Sequence, residues 1–206
     1  MYEPSSGTIL FAKAPDEPFT PGSLVKVMTA ATVFDALKAN EIRSDQLCKV
    51  SEHAWRTGGA PSGRGATMFA AIKSEIAVED LLKGLLVHNA NDAAIVLAEC
   101  IDGSEEAFAE RMTELAHSIG MTNTKLANPT GYAEKPSRTT VRDQARLAQY
   151  ILDQHPNFYP LFLTAGIHLE RDFPAQQESA PWRNQRSGRL GRRLRSVGRL
   201  FRPCIR

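Results

Sequence analysis

Apolar residues recur with the spacing of an amphipathic helix in five segments of the chain. In the first segment they occupy positions 24, 27, 28, 31, 34 and 37, which places them on one face of a helix. Ser104 and Thr140 stand where helix N-caps are expected, and Gly120 stands where a C-cap is expected. The pattern predicts helices over residues 23–40, 77–87, 93–101, 104–120 and 139–155.

Strand signals are fewer and shorter. Residues 5–13 alternate apolar and polar side chains after a turn signal, which predicts a strand. Residues 122–132 predict a short strand and a turn, and residues 158–171 predict one strand near their end. Residues 44–75 predict mainly loops, with the glycine-rich segment 58–65 exposed. We therefore expect a helix-rich α+β domain.

The composition is that of an ordinary globular protein. Hydrophobic residues make up 42% and charged residues 23% of the 206 residues, enough for one sizeable core. No apolar run reaches the length of a membrane-spanning helix. The first residues, MYEPSSGTILFAK, lack the basic and apolar regions of a signal peptide, so the sequence as written predicts a cytoplasmic location.

The charge of the chain changes abruptly near Trp182. Residues 183–206 contain nine arginines and no lysine or acid, so the net charge of +2 divides into +9 there and −7 elsewhere. We therefore expect a domain over residues 1–172 and an arginine-rich tail over residues 173–206 that is disordered or forms a weak basic helix. Because the tail has no interleaved aromatic residues, we expect no specific nucleic-acid partner.

Cysteine and histidine give no ligand pattern. The chain has an odd number of cysteines, three, and no CxxC pair: Cys48, Cys100 and Cys204. The sequence therefore predicts neither a disulfide framework nor a zinc site. The five histidines are scattered along the chain. We therefore expect no metal and no cofactor.

Ser23 and Lys26 stand three positions apart in the segment TPGSLVKVMT. On a helix they share one face, and a lysine whose pKa is lowered by burial can take the proton of a serine hydroxyl. The alternative is structural: a capping serine, and a lysine whose stem lies along apolar surface. Since S-x-x-K arises by chance about once in a chain of this length, the pair alone favours the structural interpretation.

The segment HNANDAA, residues 88–94, lies between two predicted helices. Asn89 and Asn91 flank a small residue, and a turn there can direct both amides into a cleft. The alternative is that asparagine and aspartate are present only as turn formers.

Taken together, four segments resemble a known family. GTILFAK, PGSLVKVMTA, EDLLKGLLVHNANDAAIVLAE and FAERMTELAHSIGMTNTKLANPTGY, in this order, resemble the low-molecular-weight penicillin-binding proteins. Within that group they resemble the D-alanyl-D-alanine carboxypeptidases, serine peptidases of the S-x-x-K type. The resemblance covers about residues 5–170, and the segment SEHAWRTGGAPSGRGATMF shares it.

The resemblance implies a fold, a reaction and a set of residues. The fold is a helical region on an antiparallel sheet, here incomplete at the C-terminus. Ser23 would be the nucleophile that forms an acyl-enzyme and releases D-alanine, Lys26 its general base, and Asn91 the amide that orients substrate. The implied partners are peptidoglycan stem peptides ending in D-Ala-D-Ala, with β-lactams as inhibitors, and the implied location is the periplasm or cell envelope.

The sequence departs from the family pattern in three ways. Asn89 replaces the serine of S-x-N and is a candidate catalytic residue, but an amide cannot relay a proton as a hydroxyl does. The third motif, K-T-G, does not occur: residues 56–58 precede the second motif, and residues 186–188 lie in a charged segment without strand formers. The chain also begins inside the first expected strand.

These departures predict a truncated or frameshifted family member and leave two functions open. One is a serine D-Ala-D-Ala carboxypeptidase. The other is a catalytically impaired fragment, or a non-catalytic relative, that binds penicillin or peptidoglycan without turnover. A β-lactamase is less favoured, because the segments around both motifs resemble the carboxypeptidases.

Overall fold

The computed structural model describes residues 2–3, 5–133 and 137–163, which form six α-helices and four short strands. The strands are β1 (Tyr2–Glu3), β2 (Thr8–Ile9), β3 (Leu47–Lys49) and β4 (Glu75–Ala77). The α-helices are α1 (Val25–Lys38), α2 (Glu52–Thr57), α3 (Val78–Val87), α4 (Asn91–Asp102), α5 (Glu105–Ser118) and α6 (Val141–Gln154). Three 3-10 helices cover Gly22–Leu24, Ala60–Ser62 and Pro156–Leu163.

The five predicted helices are confirmed as α1, α3, α4, α5 and α6. Both predicted N-caps are confirmed: Ser104 accepts a hydrogen bond from the Ala107 amide, and Thr140 accepts one from the Asp143 amide. Gly120 adopts the positive φ expected of a terminating glycine (+84°), although α5 itself ends two residues earlier.

The strands pair as two separate antiparallel ladders, so the helices accompany small antiparallel sheets, as an α+β fold requires. Strand β1 pairs with β2, and β3 pairs with β4. The predicted strand over residues 5–13 is confirmed only for β2, because the rest of that segment forms turns and bends. The loop prediction for residues 44–75 missed β3 and α2, whose three and six residues are too short to show a periodicity.

Of the two remaining strand predictions, the structure reduces one to an isolated bridge and contradicts the described part of the other. Over residues 122–132 the strand character is limited to an isolated bridge between Lys125 and Arg138. The prediction of a strand in 158–171 is wrong as far as Leu163, where the chain continues a 3-10 helix, and its remainder lies outside the described residues.

The core lies between α1, α3, α4 and α5. Helix α4 is its centre, since every residue from Ala93 to Ala98 is fully buried. Small side chains there allow the neighbouring helices to approach closely. Phe34 of α1 is also fully buried and stacks on Phe158 with ring centroids 4.5 Å apart, which joins the last 3-10 helix to the core.

A disulfide joins β3 to α4. Cys48 and Cys100 are bonded, with their Cα atoms 5.6 Å apart. The expectation of no disulfide framework was therefore wrong for this pair. The two cysteines are 52 positions apart in sequence, and their spacing alone gives no sign that β3 and α4 are neighbours.

Two further predictions concern membrane-spanning helices and the arginine-rich tail. None of the helices in the described residues combines the length and the apolar character that crossing a bilayer requires. The arginine-rich segment 173–206 lies outside the described residues, so the division of the chain at residue 172 stays a prediction.

Candidate active site

Ser23 lies in the 3-10 turn that leads into α1, and it is exposed. Pro21 precedes the turn with φ −68°, the value that suits a helix entry. Gly22 has φ +53°, which glycine adopts without steric cost. This local sequence therefore places the hydroxyl on the open side of the helix N-terminus, where partial positive charge favours a nearby anion.

Lys26 lies in the first turn of α1 and is only 4% exposed. Burial lowers the pKa of its ammonium group to about 8. Within the described part of the chain the side chain makes no hydrogen bond or ion pair, including none to Ser23. With this pKa about one tenth of the lysine is neutral at pH 7, so it can accept a proton under ordinary conditions.

Asn89 is brought into contact with Ser23. It follows α3 in the left-handed conformation, with φ +54°, which asparagine tolerates better than most residues. Its side-chain Nδ2 donates a hydrogen bond to Ser23 Oγ over 3.3 Å. Two residues separated by 66 positions thus meet at the hydroxyl oxygen.

Asn91 is the first residue of α4 and is 5% exposed. Its backbone N–H donates to the carbonyl oxygen of Ala66 over 2.9 Å. No hydrogen bond joins its side chain to Ser23, Lys26 or any other residue that the structure describes. The residue is therefore largely buried, whereas its side-chain amide has no partner among the described residues and both amide atoms still reach solvent.

The turn predicted within residues 122–132 contacts the residue before the serine. The Asn128 side-chain oxygen accepts hydrogen bonds from the backbone N–H groups of Thr130, Gly131 and Tyr132. Gly131 lies so close to Gly22 that a Cβ built on it would be 2.0 Å from the Gly22 oxygen. The asparagine, proline and glycine of NPTG signal a turn, but nothing in the sequence indicates that the turn abuts the residue before Ser23.

The segment after α2 forms another wall of the site. Tyr132 Oη donates to the carbonyl oxygen of Thr57 over 3.1 Å. Gly58 lies against the Asn91–Asp92 backbone, and a Cβ on Gly58 would come 2.6 Å from the Asp92 nitrogen. Arg56, Thr57 and Gly58 thus lie at the end of α2 and not on a strand, unlike a K-T-G motif.

The site thus combines an exposed serine, a buried lysine of lowered pKa one turn later, and an amide that donates to the serine oxygen. The arrangement is suited to nucleophilic acyl transfer, in which a serine attacks a carbonyl and a neighbouring base takes its proton.

Comparisons with known proteins give the same class. Residues 1–187 match the D-alanyl-D-alanine carboxypeptidase family. The chain is 35% identical to the D-alanyl-D-alanine carboxypeptidase DacC of Escherichia coli K12 over 186 residues, which cover 90% of this chain and 45% of that protein. The chain spans about half the length of the curated relatives it matches.

Solved structures show the predicted penicillin-binding-protein fold. The D-alanyl-D-alanine carboxypeptidase DacD of Francisella tularensis superposes with a TM-score of 0.74 at 34% identity, over 78% of this chain and 38% of that chain. Penicillin-binding protein D2 of Listeria monocytogenes, solved in an ampicillin-bound form, gives a TM-score of 0.66 at 25% identity, over 78% and 62%.

The protein is thus a serine-peptidase relative of the penicillin-binding type. More narrowly, the chain belongs to the D-alanyl-D-alanine carboxypeptidase family, as the sequence predicted.

Proposed function

We propose that this chain acts as a serine D-Ala-D-Ala carboxypeptidase, with Ser23 as the nucleophile and Lys26 as its base. Ser23 Oγ attacks the carbonyl carbon between the two terminal D-alanines, and its proton passes to neutral Lys26 Nζ. The C–N bond then breaks, the leaving amine takes the proton from Lys26, and free D-alanine departs. Water hydrolyses the ester and restores Ser23.

One observation carries the proposal: an accessible serine stands one turn before a lysine that burial keeps partly neutral near pH 7. A serine without such a base is a poor nucleophile. The helix N-terminus at Ser23 adds a backbone N–H that can donate to the oxyanion of the tetrahedral intermediate. Asn91 is largely buried, its side-chain amide is unpartnered among the described residues, and it is the residue that we assign to the substrate peptide.

The proposed partners are peptidoglycan stem peptides that end in D-Ala-D-Ala, and β-lactams that acylate the same serine. The cell envelope, and not the cytoplasm that the first residues alone predict, is the proposed site of action. Support for it comes from the Cys48–Cys100 disulfide, since disulfides persist mainly in oxidising compartments such as the bacterial periplasm.

Mass spectrometry of the intact protein tests the assignment. After incubation with benzylpenicillin, we expect the wild-type chain to gain the mass of one penicilloyl group and Ser23→Ala to gain none. Circular dichroism of both proteins shows that they are folded. An adduct that persists in Ser23→Ala, or folded wild-type protein that forms no adduct, would contradict the proposal.

A second function is favoured by Asn89. Because its amide donates to Ser23 Oγ but cannot relay a proton, the site is suited to form an acyl-enzyme and to release it slowly. The chain would then bind penicillin or peptidoglycan without efficient turnover. A penicilloyl adduct combined with no D-alanine release from a D-Ala-D-Ala peptide would favour this alternative.

A further inference from the structure

Asp92 is a fully buried carboxylate next to the candidate substrate-binding residue Asn91. One oxygen accepts from the Thr67 hydroxyl over 2.5 Å and from the Ala70 amide over 3.1 Å. The other accepts from the amides of Met68 and Ala93, each over 3.0 Å. None of the cationic side chains that the structure describes forms an ion pair with it.

A buried carboxylate without a cation needs several hydrogen-bond donors. Asp92 has four of them, and it also lies in the first turn of α4, where the helix dipole favours negative charge. Three of the donors come from the separate segment 67–70. The carboxylate therefore acts as the anchor that holds this segment against the start of α4.

The anchored segment encloses Asn91. Ala66, directly before it, supplies the carbonyl that accepts from the Asn91 backbone N–H. Gly58, nearer the start of the same connection, packs against the peptide that joins Asn91 to Asp92. If the segment moved away, Asn91 would lose its backbone partner and its enclosure, whereas the contact between Asn89 and Ser23 would remain.

We propose that Asp92 is a positioning residue of this site: its carboxylate fixes the segment 66–70 and thereby holds Asn91 ready for the substrate amide. The inference rests on the proposed function and deepens it. Asp92 contributes to the non-covalent binding of substrate, and the attack by Ser23 depends on it much less.

The test compares Asp92→Asn with Asp143→Asn. Asp143 is a matched control because it is also fully buried in the first turn of a helix and accepts from a threonine hydroxyl (Thr124) and a backbone N–H (Asn123). Its partners lie in the α5–α6 connection, and Arg146 additionally pairs with it. Both variants replace a buried carboxylate by an amide, but only Asp92 lies beside Asn91.

Two measurements follow. Benzylpenicillin acylation over a range of concentrations separates the half-saturating concentration from the limiting rate. In Asp92→Asn we expect the half-saturating concentration to rise about tenfold and the limiting rate to fall less than about threefold. In Asp143→Asn we expect neither quantity to change by more than about threefold. Hydrogen exchange should accelerate about tenfold or more at the Met68, Ala70 and Asn91 amides in Asp92→Asn only.

The outcomes separate the positioning role from the proposed function. If Asp92→Asn and Asp143→Asn change the kinetic constants alike, Asp92 has only a structural role and the inference is overturned. If wild-type protein forms no adduct, the proposed function fails. In that case, unchanged hydrogen exchange at the Met68, Ala70 and Asn91 amides of Asp92→Asn would overturn the positioning role separately. If Asp92→Asn does not fold, Thr67→Val removes one donor and is expected to show the same split more weakly.

Discussion

Gly131 lies directly against the backbone of Gly22, the residue that precedes the candidate nucleophile. A Cβ on Gly131 would lie 2.0 Å from the Gly22 oxygen and 3.2 Å from the Ser23 nitrogen. The NPTG turn and the turn that carries Ser23 are therefore in backbone contact, and the position of the serine depends on a residue 108 positions away.

Gly131→Ala should displace Ser23 and lower the acylation rate by about 10²-fold, since misplacement of a reacting group by about 1 Å has an effect of that size. The rate of benzylpenicillin adduct formation measures it. Gly103→Ala is the matched control: Gly103 also has a positive φ (+78°), but a Cβ added there would meet no atom within 4 Å. Both variants should lose roughly 1–2 kcal/mol of folding stability, because the left-handed conformation is unfavourable for alanine. Equal acylation rates in the two variants would contradict the role of the Gly131–Gly22 contact.

Asn89→Ser should retain acylation and release the penicilloyl group faster, by roughly tenfold or more, because a hydroxyl can both donate and accept a proton. The lifetime of the adduct after removal of free penicillin measures the effect. A modest loss of stability is expected, since serine tolerates the φ of +54° less well than asparagine. An unchanged lifetime would show that the Asn89 amide does not limit release. Asn89→Ala, which removes the hydrogen bond to Ser23, is expected to slow acylation instead.

The acylation rate should rise with pH and level off above a midpoint near pH 8. The neutral form of Lys26 is the base, and burial lowers the pKa of this residue from 10.5 to about 8. Stopped-flow acylation between pH 6 and about pH 10 measures the midpoint. Lys26→Arg is the control, because a guanidinium stays protonated over this range and should give a low rate without the rise. A midpoint shared by wild type and Lys26→Arg would assign the titration to another group.

Lys26→Met should abolish acylation and stabilise the fold at pH 7. The folded-state pKa is below the unfolded value, so the unfolded chain binds the extra proton between pH 8 and 10.5, and wild-type stability rises with pH in that window. At pH 7 the shift corresponds to a destabilisation on the order of 3 kcal/mol. Urea unfolding should show this difference at pH 7, and the difference should disappear at about pH 11.5, above both pKa values. If Lys26→Met is no more stable than wild type at pH 7, burial of the Lys26 ammonium group does not destabilise the fold as expected.

Reduction of the Cys48–Cys100 disulfide should lower the free energy of unfolding by roughly 4 kcal/mol, by the chain-entropy relation for a loop closed over 52 positions. Urea unfolding with and without dithiothreitol measures the change. The Cys48→Ala, Cys100→Ala double variant should be insensitive to the reductant. A thiol titration of the denatured, unreduced wild type should find two thiols fewer than after reduction; finding three would show that the disulfide is absent.

The helices follow from local patterns, but the buried face of α1 does not. Leu24, on the predicted apolar face, is 46% exposed, whereas Ala30 and Val33, off that face, are fully buried. The apolar spacing of residues 24 to 37 is enough to predict α1, and the capping positions of Ser104 and Thr140 mark the starts of α5 and α6. The same local geometry places Ser23 and Lys26 on consecutive turns. Such features depend on residues three or four positions apart, and the sequence displays them directly.

The remaining features join residues that are far apart in the chain. The hydrogen bond from Asn89 to Ser23, the close approach of Gly131 to Gly22 and the bond between Cys48 and Cys100 each require two distant segments to meet. The sequence predicts only that Asp92 is a turn former. Its carboxylate holds the segment 67–70 because the fold packs that segment against the start of α4. Local propensity describes each segment by itself, whereas the burial of α4 between its neighbours brings distant segments into contact.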